Sequence, residues 1–254
     1  MASTDNPTII LVHGAFADAS GWADVITELS DRDYRCYAPA NPLRGVSHDG
    51  DYIRSFVATI DGPVVLVGHS YGGCAITNAG VGSPNVKALV YIAAFAPDEG
   101  ETLLETFPLG GGSSDLANHL VLRSYPGAPD GESDSYIAAD SFHALFCADV
   151  DANLALTMEA GQRGFALTCL STPSGPAAWK TVPSWYMVAA DDKTIPPEAE
   201  RSMAARAGAH TVEVPSSHVA MVSHPQEVAE LIVRAALEAT SAALATAYPR
   251  DPAP

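Results

Sequence analysis

Three stretches of this chain are almost wholly apolar and rich in β-branched residues: "PTIILV" from Pro7, "PVVLV" from Pro63 and "VKALVYIAA" from Val86. A strand with one wet face alternates apolar and polar residues. A strand that does not alternate is buried on both faces, as in parallel sheets covered by helices. Parallel neighbours need a crossover rather than a hairpin, and the intervening segments supply it. "GWADVITELSDRD" carries Trp22, Val25, Ile26 and Leu29 at helical spacing. "GDYIRSFVATIDG" reads as an amphipathic helix closed by glycine, and "GGCAITNAGVGS" as a helix of small residues suited to close packing under a sheet. "YRCYAPANP" is a shorter strand ending in turn residues. The order β-α-β-α-β-α-β predicts a doubly wound, mostly parallel sheet with helices on both faces.

The pattern breaks between residues 104 and 180. Glycine runs ("LGGGSSD"), a Pro/Gly/Asp stretch ("YPGAPDGESDS") and short helical segments ("DSFHALFCADV", "DANLALTMEAGQ") replace it, with no evident buried strand. Long irregular insertions in compact domains are usually functional. Residues 104–180 are therefore expected to form an inserted, mainly helical cap on a core built from 1–103 and 181–254. The sheet pattern resumes with "SWYMVAADD", the helix "PPEAERSMAARAG", a last strand "HTVEVPSSH" and a long closing helix "PQEVAELIVRAALEATSAALA". That makes a sheet of about six strands. The proline-rich tail "TAYPRDPAP" is expected to fray.

The 254 residues suit one α/β domain with an insertion, and 47% hydrophobic content suffices for a large core. A net charge of −17 repels phosphate backbones and anionic lipid, which argues against nucleic-acid and membrane partners. The four cysteines, Cys36, Cys74, Cys147 and Cys169, form no C-x-x-C pair and no zinc spacing, so buried free thiols are expected. The start "MASTDNPTIILVHG" lacks the basic and apolar regions of a secretion signal, and no apolar run reaches the length of about 18 residues that spans a bilayer. A cytoplasmic location is expected.

Within "VVLVGHSYGGCA", Gly68-His69-Ser70-Tyr71-Gly72 fits G-x-S-x-G. The pentapeptide alone is weak evidence. Its setting strengthens it: a nucleophile elbow needs a buried strand before the serine and a helix after it, with small residues where side chains would collide. A serine hydroxyl also needs a base, and the base an orienting acid, here in the chain order Ser, acid, His. Catalytic groups gather at the carboxyl ends of the strands. His218 lies just beyond the last strand, and Asp191-Asp192 end the strand before it. Of the eight histidines, only His218 has this position. His13 and His69 sit in turns they are expected to brace, His224 near the last helix, and His48, His119, His143 and His210 in loops or the cap. Asp192, one step past the strand end, is favoured over Asp191. The oxyanion hole would combine the amide of Tyr71 with that of Ala15 in "HGAFADASGW", with Phe16 walling the pocket. Phe142, His143, Leu145, Phe146, Phe165 and Trp179 of the cap, together with Val219, are candidates to line it, although for most of the aromatics taken singly the simpler expectation is the cap's own core.

"HGAFADASGW", "GHSYGG", "AADDKTIPPE" and "SSHVAMVSHP" together resemble the α/β-hydrolase superfamily, over about residues 7–105 and 181–238. Within it the chain looks closest to the small plant-type esterase and hydroxynitrile-lyase group. The resemblance implies Ser70 as nucleophile, Asp192 as acid, His218 as base and the amides of Ala15 and Tyr71 as oxyanion hole, with no metal or organic cofactor. The lyase branch has lysine after the catalytic histidine and threonine after the first-strand histidine; here stand Val219 and Gly14, which argues against cyanohydrin cleavage. Ser70 also argues against the epoxide hydrolases and haloalkane dehalogenases, which carry aspartate at the elbow. The expectation is a serine hydrolase of a small, largely apolar ester, lactone or thioester. The same triad also serves acyl transfer, C–C hydrolysis, perhydrolysis or cyclisation, and the fold hosts weakly hydrolytic receptors. The partner would be a small-molecule substrate, and a homodimer through the cap or last helix is compatible with the sequence.

Overall fold

The computed structural model describes residues 6–247. The expected frayed tail lies, from residue 248 onward, outside the described residues, as do the first five residues of the chain. In the first half, strands β1 (Thr8–Val12), β2 (Cys36–Tyr37), β3 (Val64–Ser70) and β4 (Val86–Ala94) alternate with helices α1 (Ala23–Ser30), α2 (Val46–Val57) and α3 (Tyr71–Ala79). β1 and β3 are buried at every position, as their unbroken apolar sequence requires. α2 starts four residues before the expected Gly50. The reason lies in Asp49, whose buried carboxylate accepts the Arg44 and Gly45 amides and so closes the helix entrance. His48, expected in a loop, therefore rides in this helix.

After β4 the chain forms α4 (Leu103–Thr106), β5 (Leu120–Arg123), β6 (Asp134–Ile137), α5 (Ala139–Phe146), α6 (Ala152–Ala160), β7 (Phe165–Ala166) and α7 (Thr168–Ser171). It is mainly helical, as expected. The expectation that it holds no buried strand is corrected: β5, β6 and β7 make a three-stranded antiparallel sheet, with β6 inside. These strands have two to four residues, and β6 emerges directly from the Pro/Gly/Asp stretch. Such segments are too short for an alternation to register.

The chain returns through β8 (Ser184–Ala189), α8 (Pro197–Arg206), β9 (His210–Val214), α9 (Ala220–Ser223) and α10 (Pro225–Ala247). His210, expected in a loop, opens β9. The main sheet is six-stranded and parallel in the order β2-β1-β3-β4-β8-β9. From β1 the chain steps outward to β2, then crosses back to β3 on the other side. The order reverses between β1 and β3, and the crevice outside their carboxyl ends is where open α/β sheets accept ligands. Val12 pairs with Gly68, so the loop after β1 lies beside the elbow after β3.

Cys74, Cys147 and Cys169 are buried, Cys36 is half-buried, and all four are free. Burial pushes the Cys36 thiol up to about 11 and those of Cys147 and Cys169 to about 12, so these three are inert thiols at neutral pH.

Candidate active site

Ser70 sits at the junction of β3 and α3 with φ 54° and ψ −124°, a conformation side chains rarely adopt. The turn fits only because its neighbours lack side chains. A Cβ on Gly72 would collide with the Val12 carbonyl, and one on Gly14 would lie 2.5 Å from the Ser70 Cβ. The loop after β1 thus presses against the elbow, and Ala15, Phe16, Ser70 and Tyr71 line one cavity. Tyr71 is the first residue of α3, where an amide has no intrahelical acceptor, and the Ser70 side chain does not cap that helix.

His13 and His69 brace this region, as expected. His13 Nε2 accepts the Asn41 amide at 2.9 Å, while Nδ1 lies 2.9 Å from the Gly14 carbonyl. That pairing requires the neutral ring, and burial lowers its pKa to about 4. His69 Nε2 donates to the His218 carbonyl at 2.9 Å, and the two rings pack 4.7 Å apart. Burial and the neighbouring His218 hold the His69 pKa well below the usual histidine range.

His218 is fully buried in the loop between β9 and α9. Its Nδ1 meets Asp192 Oδ2 at 2.5 Å, while Nε2 is buried with no hydrogen-bond partner. Asp192 Oδ1 accepts the Thr194 and Ile195 amides at 2.6 and 3.0 Å. Asp191 is exposed, so the carboxylate on the histidine is that of Asp192. The two loops are tied to the segment that leaves the sheet after β4. Thr194 Oγ1 donates to the Leu145 carbonyl at 3.0 Å, and Ser114 Oγ to the Thr194 carbonyl at 2.9 Å. Asp149 accepts both the amide and hydroxyl of Ser217.

The cavity at Ser70 encloses about 220 Å³. Phe16, Phe95, Phe107 and Phe165 contribute rings, and leucines from α4, the segment before β5, the start of β5 and α7 complete its wall; among the described residues no charged side chain lines it. Phe16 and Phe165 were expected here. Four others are not. Phe142 is buried behind Phe146, with ring centroids 5.0 Å apart. His143 bonds through Nε2 to the Val150 carbonyl. Trp179 donates to the Pro97 carbonyl between Lys180 and Arg206. Val219 is wholly enclosed at the entry to α9. In each case packing or an intrinsic hydrogen bond claims the side chain. Phe146 takes an intermediate place: it packs 5.1 Å from the His218 ring and borders a second cavity of about 310 Å³ beyond Phe16. Leu145 lines neither cavity and contributes its carbonyl instead.

Glu200, for which the sequence raised no expectation, is fully buried in α8 and meets Asp192. It looks like one of the solvated acids that favour a helix start. Its position three and four residues before Met203 and Ala204, both buried, was the available signal.

A six-stranded parallel sheet with a strained serine elbow and an Asp–His pair on the later strands defines a class: the α/β hydrolases. Residues 9–231 match the alpha/beta hydrolase family, and the chain belongs to it. It is 26% identical over 257 residues to the alpha/beta hydrolase nvfD of Aspergillus novofumigatus, covering 92% of this chain and 98% of that one. The pyrethroid hydrolase of Sphingobium wenxiniae is 27% identical over 241 residues, covering 88% of this chain and 85% of that one. The polyneuridine aldehyde esterase of Rauvolfia serpentina is 26% identical over 248 residues, covering 88% and 93%. A crystal structure of polyneuridine aldehyde esterase superposes with a TM-score of 0.76 at 21% identity, covering 90% and 98%. The fold therefore lies in the small-esterase neighbourhood that the motifs suggested.

Proposed function

We propose that this hydrolase cleaves small, largely apolar carboxylic esters through an acyl-Ser70 intermediate, with residues 104–180 acting as the cap that shapes its pocket. One observation carries the reading: Ser70 opens into an uncharged cavity, at an elbow shared with the loop after β1, while a buried Asp192–His218 pair stands at the ends of β8 and β9. Relatives named as an esterase and a pyrethroid hydrolase support ester chemistry.

In the proposed cycle His218 Nε2 accepts the Ser70 proton as Oγ attacks the ester carbonyl. Asp192 holds the Nδ1–H and stabilises the imidazolium. The amides of Ala15 and Tyr71 receive the tetrahedral oxyanion. The imidazolium returns its proton to the leaving alkoxide, which departs as the alcohol. Water then attacks the acyl-Ser70 carbonyl, giving its proton to His218, and the carboxylic acid leaves as Oγ regains a proton. The apolar wall favours neutral acyl and alkoxy groups, because an ionised substrate group would lose its hydration there without a counter-charge. No metal or organic cofactor enters this cycle. A small molecule is the only partner it requires, and a cytoplasmic location goes with the reading; among the described residues, no helix is long and apolar enough to cross a membrane.

The test is hydrolysis of short-chain p-nitrophenyl esters by the parent protein and by Ser70→Ala. Loss of the triad nucleophile is expected to lower kcat by about four orders of magnitude or more. Equal rates in the two proteins would remove Ser70 from the chemistry and the acyl-enzyme route with it.

A further inference from the structure

Behind the Asp192–His218 pair lies a second carboxyl group that the cycle above does not use. Glu200 occupies the fourth position of α8 and is wholly shielded from solvent. Its Oε2 accepts the Ala189 amide, at the end of β8, at 3.1 Å. Its Oε1 is buried and receives no N–H or O–H donor. Among the described residues, the side chain that this carboxyl meets is that of Asp192.

Two carboxyl groups in contact inside a protein cannot both be ionised; they share one proton. The surrounding donors decide which group holds it. Asp192 receives three N–H donors, from Thr194, Ile195 and the His218 ring, all of which favour its charged form. Glu200 receives one. Arg201, next to it in α8, is turned outward onto Glu213 of β9. Tyr186 of β8, the other titratable group facing Glu200, gives its hydroxyl hydrogen to the Ala94 carbonyl. Arg201 therefore offsets a charge on Glu200 only from a distance, and among the described residues no cation is hydrogen-bonded to it. Burial first, and the Asp192 charge second, hold its pKa well above the usual carboxylate range.

We propose that Glu200 is a positioning residue for the Asp192–His218 pair: its neutral carboxyl donates a hydrogen bond to Asp192, fixing that carboxylate against His218 Nδ1 and limiting how strongly it attracts the charged imidazole. This assignment rests on the reading of Asp192 and His218 as a catalytic pair. Glu200 itself touches neither substrate nor the reacting atoms. It acts on the cycle by setting the pH at which His218 is free to accept the Ser70 proton.

The role separates from a merely space-filling one by what replaces the group. Glutamine keeps both functions, an amide N–H toward Asp192 and a carbonyl toward the Ala189 amide, and is neutral as the protonated acid is. Leucine keeps the volume and removes the donor. The experiment is an NMR titration of the full-length, 13C/15N-histidine-labelled protein as parent, Glu200→Gln and Glu200→Leu, with the His218 signal assigned by its loss in His218→Gln. The Gln variant is expected to follow the parent curve. In the Leu variant Asp192 lacks one donor, so the His218 signal is expected to titrate about half a pH unit or more higher. A Leu curve superimposed on the parent's, or a Gln curve displaced by about one unit, would overturn the proposal. Should the Leu variant not fold, infrared spectra of parent and Gln protein decide: a protonated-carboxyl C=O band at neutral pH that the Gln change abolishes supports it, and no such band overturns it. Neither readout needs a substrate. Failure of the ester-hydrolase reading would show instead as turnover indifferent to Ser70→Ala.

Discussion

At Ser70 the backbone is held where a side chain costs on the order of 1–3 kcal/mol, a strain that persists only if the surroundings enforce it. The enforcing contact is the loop after β1, and Gly14 is its closest approach, leaving no room for a Cβ beside Ser70. Gly14→Ala should therefore displace the Ala15 amide from the elbow. We expect kcat/KM for p-nitrophenyl esters to fall about a hundredfold or more while the far-ultraviolet circular dichroism is unchanged. Retained activity would mean that this loop does not complete the site. The places of Ser70, Asp192 and His218 were legible in the sequence because a topology rule ties each to the carboxyl end of a particular strand. Glu200 was legible only through its spacing to Met203 and Ala204, because a buried acid and a solvated one otherwise look alike at the start of a helix. For Trp179 and Phe142 the simpler of the two expectations holds: an aromatic residue in an insertion signals burial, and only packing tells whether it meets a substrate or its own neighbours.

The stretch running from α5 into α6 joins the segment between β4 and β8 to the site. Its Leu145 carbonyl receives Thr194, two residues past Asp192, and its Asp149 grips Ser217, next to His218. Burial raises the Asp149 carboxyl, but the Ser217 hydroxyl and amide outweigh it and hold the pKa below the usual range. One short segment thus fixes both loops that carry the Asp–His pair. Asp149→Ala is expected to lower stability by about 1–2 kcal/mol and kcat/KM by roughly tenfold, read by urea unfolding and ester turnover. A stability loss with unaltered kcat/KM would show that the loop keeps its place unaided. None of these ties could be read from sequence, since they join residues 49 to 80 positions apart through side-chain-to-backbone bonds that leave no periodic trace. The long strands were legible because burial on both faces writes itself as an unbroken apolar run; β5, β6 and β7 are too short to write anything.

For the whole molecule, the buried histidines set the response to acid. His13 and His69 are neutral when folded, and unfolding returns them to an ordinary histidine that binds a proton near pH 6.5. Below that pH the unfolded state takes up more protons, so stability is lost as pH falls. For His13 the window runs from 6.5 down to about 4, and within it the cost approaches about 1.4 kcal/mol per pH unit. Glu200 works with the opposite sign: it keeps its proton when folded, so its contribution is full below pH 4.5 and declines as pH rises above that. The parent should accordingly lose stability more steeply between pH 6.5 and 4.5 than a His13→Gln variant, as followed by urea unfolding at several pH values. Parallel profiles would mean that His13 is not neutral in the folded protein.

The proposed chemistry depends above all on Ser70 being an activated nucleophile. The measurement that tests it most directly is intact-protein mass after treatment with a fluorophosphonate, followed by peptide mapping, on the parent and on His218→Ala. A single adduct on Ser70 is expected in the parent, formed far more slowly in the variant. A parent left unlabelled, or labelled elsewhere, would contradict it.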